Sequence, residues 1–453
     1  MKQIVTFCLV LCTCITQAQE LAKSYTFTLE EAIQFALDSS YTAINAKRDI
    51  TKAMKRKWET TADGLPQINA DIAYQNNIKQ PVNLLPAELA GGQPGTFIPV
   101  VFGTKQNMNA TATASQLLFD GSYIVAVRAA KTYLKYTNTN ARKTALEIRQ
   151  DVIDSYGNVL LAKESVEILK SNLATLEKNY RETKAIYENG LQEEEAVEQL
   201  EITYSQVNNQ LNNAKRLVKV TKDMLNLTLG IPLEHQVNLA EDLNDLTEEN
   251  ISLGLMNENL ILENTIEYQL AQNLIEQRTH EYNLEKAKAL PRLTTFLNYG
   301  TAAFSQEFSF LDSDQNWFQS SMWGVNLSIP IFSSLKRSAK SAQARIALEQ
   351  AETQFTQAQE QIRLAVEKAR NDYQFAIENY QTAKRNLNLA ERIEKKNQIK
   401  FQEGLASSFE LRQAQTQLYT TQQEFLESMV NVLNAKAALE TLLNTPNITL
   451  SNN

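Results

Sequence analysis

Cysteine is confined to the first fourteen residues of this 453-residue chain, at Cys8, Cys12 and Cys14. A chain cleaved beyond them keeps no thiol, which excludes a disulfide framework and a thiolate metal site. Only two histidines exist, His235 and His280, with no ligand spacing around either. The nucleophile-elbow pattern G-x-S-x-G and the phosphate loop G-x-x-x-x-G-K are both missing. The plentiful carboxylates sit at solvated helix positions, so no acid/base pair stands out. We therefore expect no enzyme, no cofactor and no metal. Glycine and proline are scarce, 13 and 9 residues, which favours long helices over a compact sheet protein. A formal charge of -8 argues against nucleic acid, whose phosphates need a basic surface. Beyond the N-terminal segment no apolar run reaches the ~18 residues of a membrane-spanning helix.

That N-terminal segment has a pattern of its own. Lys2 precedes an apolar run from Ile4 to Ile15, closed by Thr16-Gln17-Ala18-Gln19. A basic start, a short apolar core and small residues at the end read as a secretory signal peptide with cleavage near Ala18. A lipid anchor would need a small residue ahead of the modified cysteine, whereas Leu11 precedes Cys12 and Thr13 precedes Cys14.

What the chain has in abundance is helical periodicity. From Gly121 to Leu229, a long amphipathic stretch is broken at Asn189-Gly190-Leu191 and then runs back. Apolar and small residues recur at Ala141, Ala145, Ile148, Val152, Ser155, Val159, Ala162, Val166, Leu169, Leu173, Leu176 and Tyr180. The steps alternate between four and three, the mark of a left-handed coiled coil. After the break the seam resumes at Val197, Leu200, Tyr204, Val207, Leu211, Ala214, Val218, Thr221, Leu225 and Thr228. At about 1.5 Å per residue the outgoing arm would be roughly 100 Å long, too long for an ordinary globular domain. A shift of 214 residues carries Gly190-Leu191 onto Gly404-Leu405, and Ile148, Val152 and Val159 onto Ile362, Val366 and Tyr373. The same shift carries Leu200, Leu211 and Leu225 onto Ala414, Phe425 and Leu439, so the long hairpin reads as an internal duplication.

Ahead of each hairpin the period changes. Thr28-Leu29-Glu30-Glu31 is a capping box opening a helical pattern that breaks near Ser39-Ser40, resumes through Trp58 and is stopped by Gly64-Leu65-Pro66. Ile68, Ala70, Ile72 and Tyr74 then alternate with polar residues, as do Met108, Ala110, Ala112 and Ala114. A loop rich in proline and glycine, including Pro81, Pro86, Gly91, Gly92, Pro94, Gly95 and Pro99, lies between them. In the second half a rough strand covers Thr294 to Phe304. A cleaner one places Trp323, Val325, Leu327, Ile329 and Ile331 on one face. The expected division is a signal peptide (1–18), a first repeat (19–230; strands about 67–78 and 106–119, hairpin 121–230) and an acidic equatorial connector (231–262). A second repeat (263–445; strands about 293–304 and 317–332, hairpin 335–444) and a polar tail (446–453) follow. From Asp223 to Gln277 there is no Lys or Arg, so the connector reads as solvated and mobile, or else as a contact surface.

The four strands have the length and dyad alternation of outer-membrane barrel strands. In hydrocarbon every backbone polar group needs a protein partner, so four strands cannot span a membrane as an open sheet. Strands from several chains must join, with eight from two copies or 12 from three both open at this point. The rival from another class is a periplasmic coiled-coil scaffold without a pore, which explains the heptads but not the strands. Fractionation separates the two, since a scaffold is soluble and a channel needs detergent.

The order helix, strand, strand, long hairpin, given twice behind a signal peptide, resembles the TolC-like outer-membrane efflux family over essentially the whole mature chain. The motifs carrying the resemblance are Leu29-x-x-Ala32-x-x-x-Ala36-Leu37, Leu65-Pro66-Gln67-Ile68, Gly190-Leu191 and Gly404-Leu405-Ala406-Ser407-Ser408-Phe409-Glu410-Leu411. An Asn-Pro common in the family after the first short helix is replaced by Ser40-Tyr41. The resemblance implies a mainly α protein with a membrane β-barrel: a homotrimer whose 12-stranded barrel in the outer membrane continues as an α-helical tunnel through the periplasm. It implies the exit duct of a tripartite efflux or type I secretion system, with a periplasmic adaptor (membrane fusion protein), an inner-membrane transporter and outer-membrane lipid as partners.

It also implies that the two hairpin tips form the periplasmic entrance. Gly190, Leu191, Gly404, Leu405, Ala406, Ser407 and Ser408 are then the turns that the adaptor reads. Glu410 takes the place of a second-tip aspartate and Phe401 that of a gating tyrosine. Ala406 stands where some members have a gating arginine and Gln413 where they have another aspartate, so the family's ion-pair lock is in doubt here. Glu193, Glu194 and Glu195 open the returning helix of the first tip. They either offset the positive end of the helix dipole or, repeated around an axis, make a cation-favouring ring.

Overall fold

The structure, a computed structural model, describes residues 23–191, 193–446, 448 and 450. The signal-peptide segment with its three cysteines, and most of the short tail, lie outside the described residues. The chain divides into two compact units, one of residues up to Ile50, Thr137–Ala271 and from Thr356 on, the other of Thr51–Tyr136 and Gln272–Phe355.

The second unit is built on a four-stranded antiparallel sheet of order β2-β5-β7-β8, with β2 at Gln67–Asn76, β5 at Gln106–Asp120, β7 at Arg292–Ser305 and β8 at Trp317–Ser328. Its register sorts the side chains by chemistry. Ile68 faces Ala114, Ala70 faces Ala112, Ile72 faces Ala110 and Tyr74 faces Met108, while Asn69 and Asp71 face Thr113 and Thr111. Leu297 lies between Ala114 and Trp323 on the same apolar face. A period of two in the sequence thus becomes one apolar and one polar face. Gln67, Asp120, Arg292 and Ser328 lie at one end of the sheet, and all four helix connections leave from there. Both strand-to-strand connections lie at the other end.

The Pro/Gly segment between β2 and β5, expected as a loop, contains a second hairpin: β3 at Val82–Pro86 and β4 at Phe97–Val101, paired from Val82↔Val101 to Pro86↔Phe97. Proline at its ends masked short β-branched and aromatic runs. β8 stops at Ser328, short of the expected 332, because Pro330 has no N–H to give to a ladder. Between it and the next helix Ser334 and Leu335 take positive φ, 47° and 65°.

Six helices of more than twenty residues lie among the described residues. α2 spans Tyr41–Ala62 and α3 Gly121–Glu188, α3 being 68 residues without a break. α4 runs Glu194–Leu229, while α7 and α8 run Ile266–Ala287 and Lys336–Gln402. The last, α9, is Ser408–Leu443. In the first unit the seam positions are the buried ones: Ala145, Val152 and Val159 are 0% exposed, and so are Val366, Tyr373 and Val432. α3 also packs on α9, where Gly157 approaches Val430 and Leu433 and Arg149 pairs with Glu440 at 2.6 Å.

The connector is folded. A strand β1 at Ser24–Phe27, followed by the capped helix α1 at Leu29–Ser39, pairs in parallel with β6 at Gln236–Leu239. The short helices α5, Leu243–Asn250, and α6, Leu253–Met256, follow β6. Val237, Leu243, Leu246 and Leu255 are buried, whereas Asp245, Glu249, Glu258 and Glu263 stay outside. The acidic face is real, but a sparse apolar face beneath it fixes the segment. Tyrosines from two long helices peg it: the Tyr156 hydroxyl donates to Glu241 at 2.9 Å, and the Tyr373 hydroxyl accepts from the Ser252 N–H at 2.9 Å. Gly230, at φ 77°, lies so close to Ser39 that a Cβ would sit 2.4 Å from its carbonyl oxygen.

Candidate functional site

Each long hairpin reverses through a glycine in the left-handed region, Gly190 at φ 75° and Gly404 at φ 72°. The same pair of backbone bonds closes both outgoing helices. Gly190 N–H donates to Tyr187 O and Leu191 N–H to Ile186 O, at 2.8 and 3.1 Å; Gly404 N–H donates to Phe401 O and Leu405 N–H to Lys400 O, at 3.1 and 2.7 Å. This is the Schellman closure, which satisfies carbonyls that a helix end leaves open. Phe401 therefore contributes its carbonyl to the turn, and its ring is half-buried beside it.

The returning helices begin differently. Ser407 caps α9 with a full capping box: its hydroxyl accepts from the Glu410 N–H at 3.3 Å, and its own N–H donates to Glu410 Oε2 at 2.8 Å. That backbone donor, the Ser407 hydroxyl and the Lys400 charge hold the Glu410 carboxyl below the ordinary carboxylate range. At the first tip Glu193 occupies the cap position with no side-chain bond to the backbone, and Glu194 and Glu195 fill the first turn of α4. The Ser407-x-x-Glu410 spacing was the readable signal for this difference, the same pattern as Thr28 and Glu31.

The two tips meet. A cleft of about 610 Å³ is lined by Gly190, Leu191, Glu193, Glu195, Ala196, Gln199, Ser407, Ser408 and Phe409. Across it the Ser408 hydroxyl donates to Gln199 Oε1 at 3.3 Å, and Gln199 Nε2 donates to Glu195 Oε1 at 2.8 Å. Leu191 and Phe409, which line it, stand 78% and 56% exposed, and Leu405 in the second turn is 73% exposed without lining it. Glu410 and Ala406 do not line the cleft, and Glu194 stays on the surface. Sequence reasoning missed two features: the Gln199 bridge and the Arg412 guanidinium, 5.4 Å from the Phe409 ring centre. The bridge depends on the lateral fit of helices far apart in the chain, whereas Arg412 and Phe409 are an i, i+3 pair on α9 whose spacing is readable in the sequence.

Behind the tips the packing becomes polar. Asn172 Nδ2 donates to Gln422 Oε1 at 2.8 Å, and Gln398 Nε2 reaches Asn179 Oδ1 at 3.5 Å. Burial pushes the Glu394 carboxyl up, and burial together with the Glu394 charge pushes up the Tyr419 hydroxyl. Among the described residues no cluster of His, Cys, Asp or Glu could hold a metal ion.

The family model for outer membrane efflux proteins matches residues 59–230 and 259–445. A comparison with the curated proteins finds no match. Among solved structures the fold is similar to CusC at 18% identity and a TM-score of 0.71, over 92% of either chain. It is also similar to the outer membrane protein VceC of Vibrio cholerae at 16% and 0.69, over 92% of this chain and 95% of that one. For the CmeC outer membrane channel of Campylobacter jejuni the values are 15% and 0.71, over 94% of this chain and 87% of that one.

Proposed function

Because the chain belongs to the outer membrane efflux protein family, whose members are channels rather than enzymes, we propose that three copies of it form one passive duct across the outer membrane and periplasm. The observation that carries this is the open sheet: among the described residues no strand pairs with the outer edge of β2 or of β8. Such edges cannot face lipid. In a four-stranded antiparallel sheet the two outer strands run in opposite directions, so β8 of one copy meets β2 of the next in antiparallel sense. Any number of copies therefore closes without a mismatched seam. Two copies would give the smallest common barrel, and three give 12 strands around a wider pore. The four long helices of each copy would then line the shaft, with the helix end of the sheet toward the periplasm and a cleaved signal peptide responsible for export.

At the periplasmic end the two tips form the entrance, and their cleft receives a periplasmic adaptor that links the duct to an inner-membrane transporter. The exposed Leu191, Leu405 and Phe409 supply an apolar anchor, and the backbone turns at Gly190 and Gly404 present the shape that is read. Purification tests the reading. The protein should require detergent and run as an SDS-resistant trimer that falls to a 51.2 kDa chain, less any cleaved segment, on boiling. A folded single copy in plain buffer would refute it. A periplasmic scaffold, the competing expectation, leaves the four-stranded sheet without a use.

A further inference from the structure

The β3–β4 hairpin is apolar where water should reach it. Val82, Leu84, Phe97 and Val101 share one face and are 57%, 67%, 61% and 49% exposed; Ile78, Leu89 and Phe102 beside them are 91%, 75% and 57% exposed. An isolated two-stranded hairpin with such a face is marginal in water. Yet this one has a built tip. Ala87 N–H donates to Thr96 O at 2.9 Å, Gly92 N–H donates to Ala87 O at 2.8 Å, and Ala87 is 3% exposed. The one acid of the segment, Glu88, accepts from the Gly95 N–H at 3.2 Å, and the remaining charges, Lys79 and Lys105, lie at the base.

Position and chemistry select what covers that face. The hairpin leaves the sheet at the end opposite the helices, after β2 has already supplied 10 paired residues. A tilted transmembrane strand uses about 9–11 residues, so the hairpin stands beyond the hydrocarbon rather than in it. With no free charge on the face there is nothing to recognise a phosphate or an ionic partner. The hairpin does rise from β2, the edge strand on which the neighbouring copy must close. Copies held in one barrel are at high effective concentration, which favours weak apolar self-packing.

We propose that the β3–β4 hairpins of adjacent copies pack on one another through the Val82, Leu84, Phe97 and Val101 face, forming an apolar collar that narrows the outward mouth of the duct. The inference rests on the multi-copy barrel of the previous section. Its test uses the full chain in native membranes, carrying Leu84→Cys or Phe97→Cys and oxidised with copper phenanthroline. The expected result is a shift of the denatured band from monomer to disulfide-linked dimer. Leu84→Asp combined with Phe97→Asp should keep the SDS-resistant oligomer and raise single-channel conductance. An intact oligomer with no dimer band and unchanged conductance would overturn the collar, as would quenching of a bimane label at Phe97→Cys by brominated lipid, which would place the face in the bilayer. Absence of any oligomer in the unsubstituted protein would bring down the barrel reading itself, and the collar with it.

Discussion

The two hairpin tips share a backbone and one exposed leucine each, Leu191 and Leu405, and differ in the charges and caps mounted around them. Their glycines adopt φ 75° and 72°, and their closing bonds connect positions that correspond across the 214-residue shift. The surrounding side chains diverge. Over residues 181–198 the first tip sets Glu182, Glu188, Glu193, Glu194, Glu195 and Glu198 against Arg181 and Lys184, while over the corresponding 395–412 the second sets Lys395, Lys396, Lys400 and Arg412 against Glu403 and Glu410. The first starts its returning helix without a side-chain cap, and the second uses a capping box. Reversing a helix constrains φ at one residue and leaves the flanking positions free, so a repeated turn can keep its shape while its halves acquire opposite charge and unequal stiffness.

The largest expected effect tests the shared part. Gly190→Val and Gly404→Val each force a β-branched residue into the left-handed region, costing about 1–2 kcal/mol by the steric rule for L-residues. A Cβ at either glycine meets nothing within 4 Å, so backbone strain is the whole effect and the two costs should agree. Hydrogen exchange of the amides at 186–191 and 400–405 measures both, and a clear inequality would show that the turns are not equivalent.

The second effect tests the unshared part. Ser407→Ala removes the cap of α9 and should weaken its first turn by about 1 kcal/mol, the usual value for a lost cap. Glu193→Ala has no capping bond to lose and should cost the first turn of α4 only that residue's share of dipole stabilisation, at the low end of about 0.3–1 kcal/mol. A larger rise in exchange at the second tip than at the first is the expected result, and equal responses would dissolve the distinction.

The contrast also marks how far the sequence could be read. The seams, the turn glycines and the alternating strands were legible because each is a local period or a single conformational need. Ile72 opposite Ala110 and Leu297 opposite Trp323 follow from alternation plus antiparallel pairing. The β1–β6 pair was not legible: four residues at Ser24–Phe27 carry too short a pattern, and their partner lies 212 positions on, inside an acidic run. The β3–β4 hairpin was hidden by its prolines. At the tips, Gly190 and Gly404 could be found by eye, whereas the Gln199–Ser408 bridge joins two helices whose lateral register no local rule specifies.

A third comparison sets charge against capping. Changing Glu193, Glu194 and Glu195 together to Gln removes helix-dipole stabilisation of about 0.3–1 kcal/mol per residue at an exposed helix start. If the residues also ring the entrance, planar-bilayer reversal potentials in a salt gradient should move toward lower cation selectivity. Unchanged selectivity leaves these glutamates as dipole partners only.

The smallest effect separates the tips by pH. Glu410 is held below its ordinary value by the Ser407 N–H, the Ser407 hydroxyl and Lys400, so its carboxylate is favoured in the folded tip. A lowered folded value means that the stabilisation is complete above the unfolded carboxylate value, about 4.3, and is lost as pH falls through the folded one. Acidification in that window should therefore loosen the second tip, since a protonated Glu410 is a poorer acceptor for the Ser407 N–H. Pepsin, active at these pH values, reads the change directly. Cleavage near 401–410 should rise relative to cleavage near 187–195 as pH falls, with the first tip correcting for the protease's own pH dependence. Glu410→Gln keeps an amide oxygen for the Ser407 N–H but cannot titrate, so its cleavage ratio should stay flat across the window. A ratio that climbs equally in that variant would show that Glu410 does not carry the acid sensitivity; Glu394 cannot carry it either, because burial raises its carboxyl and its protonation favours the folded state as pH falls.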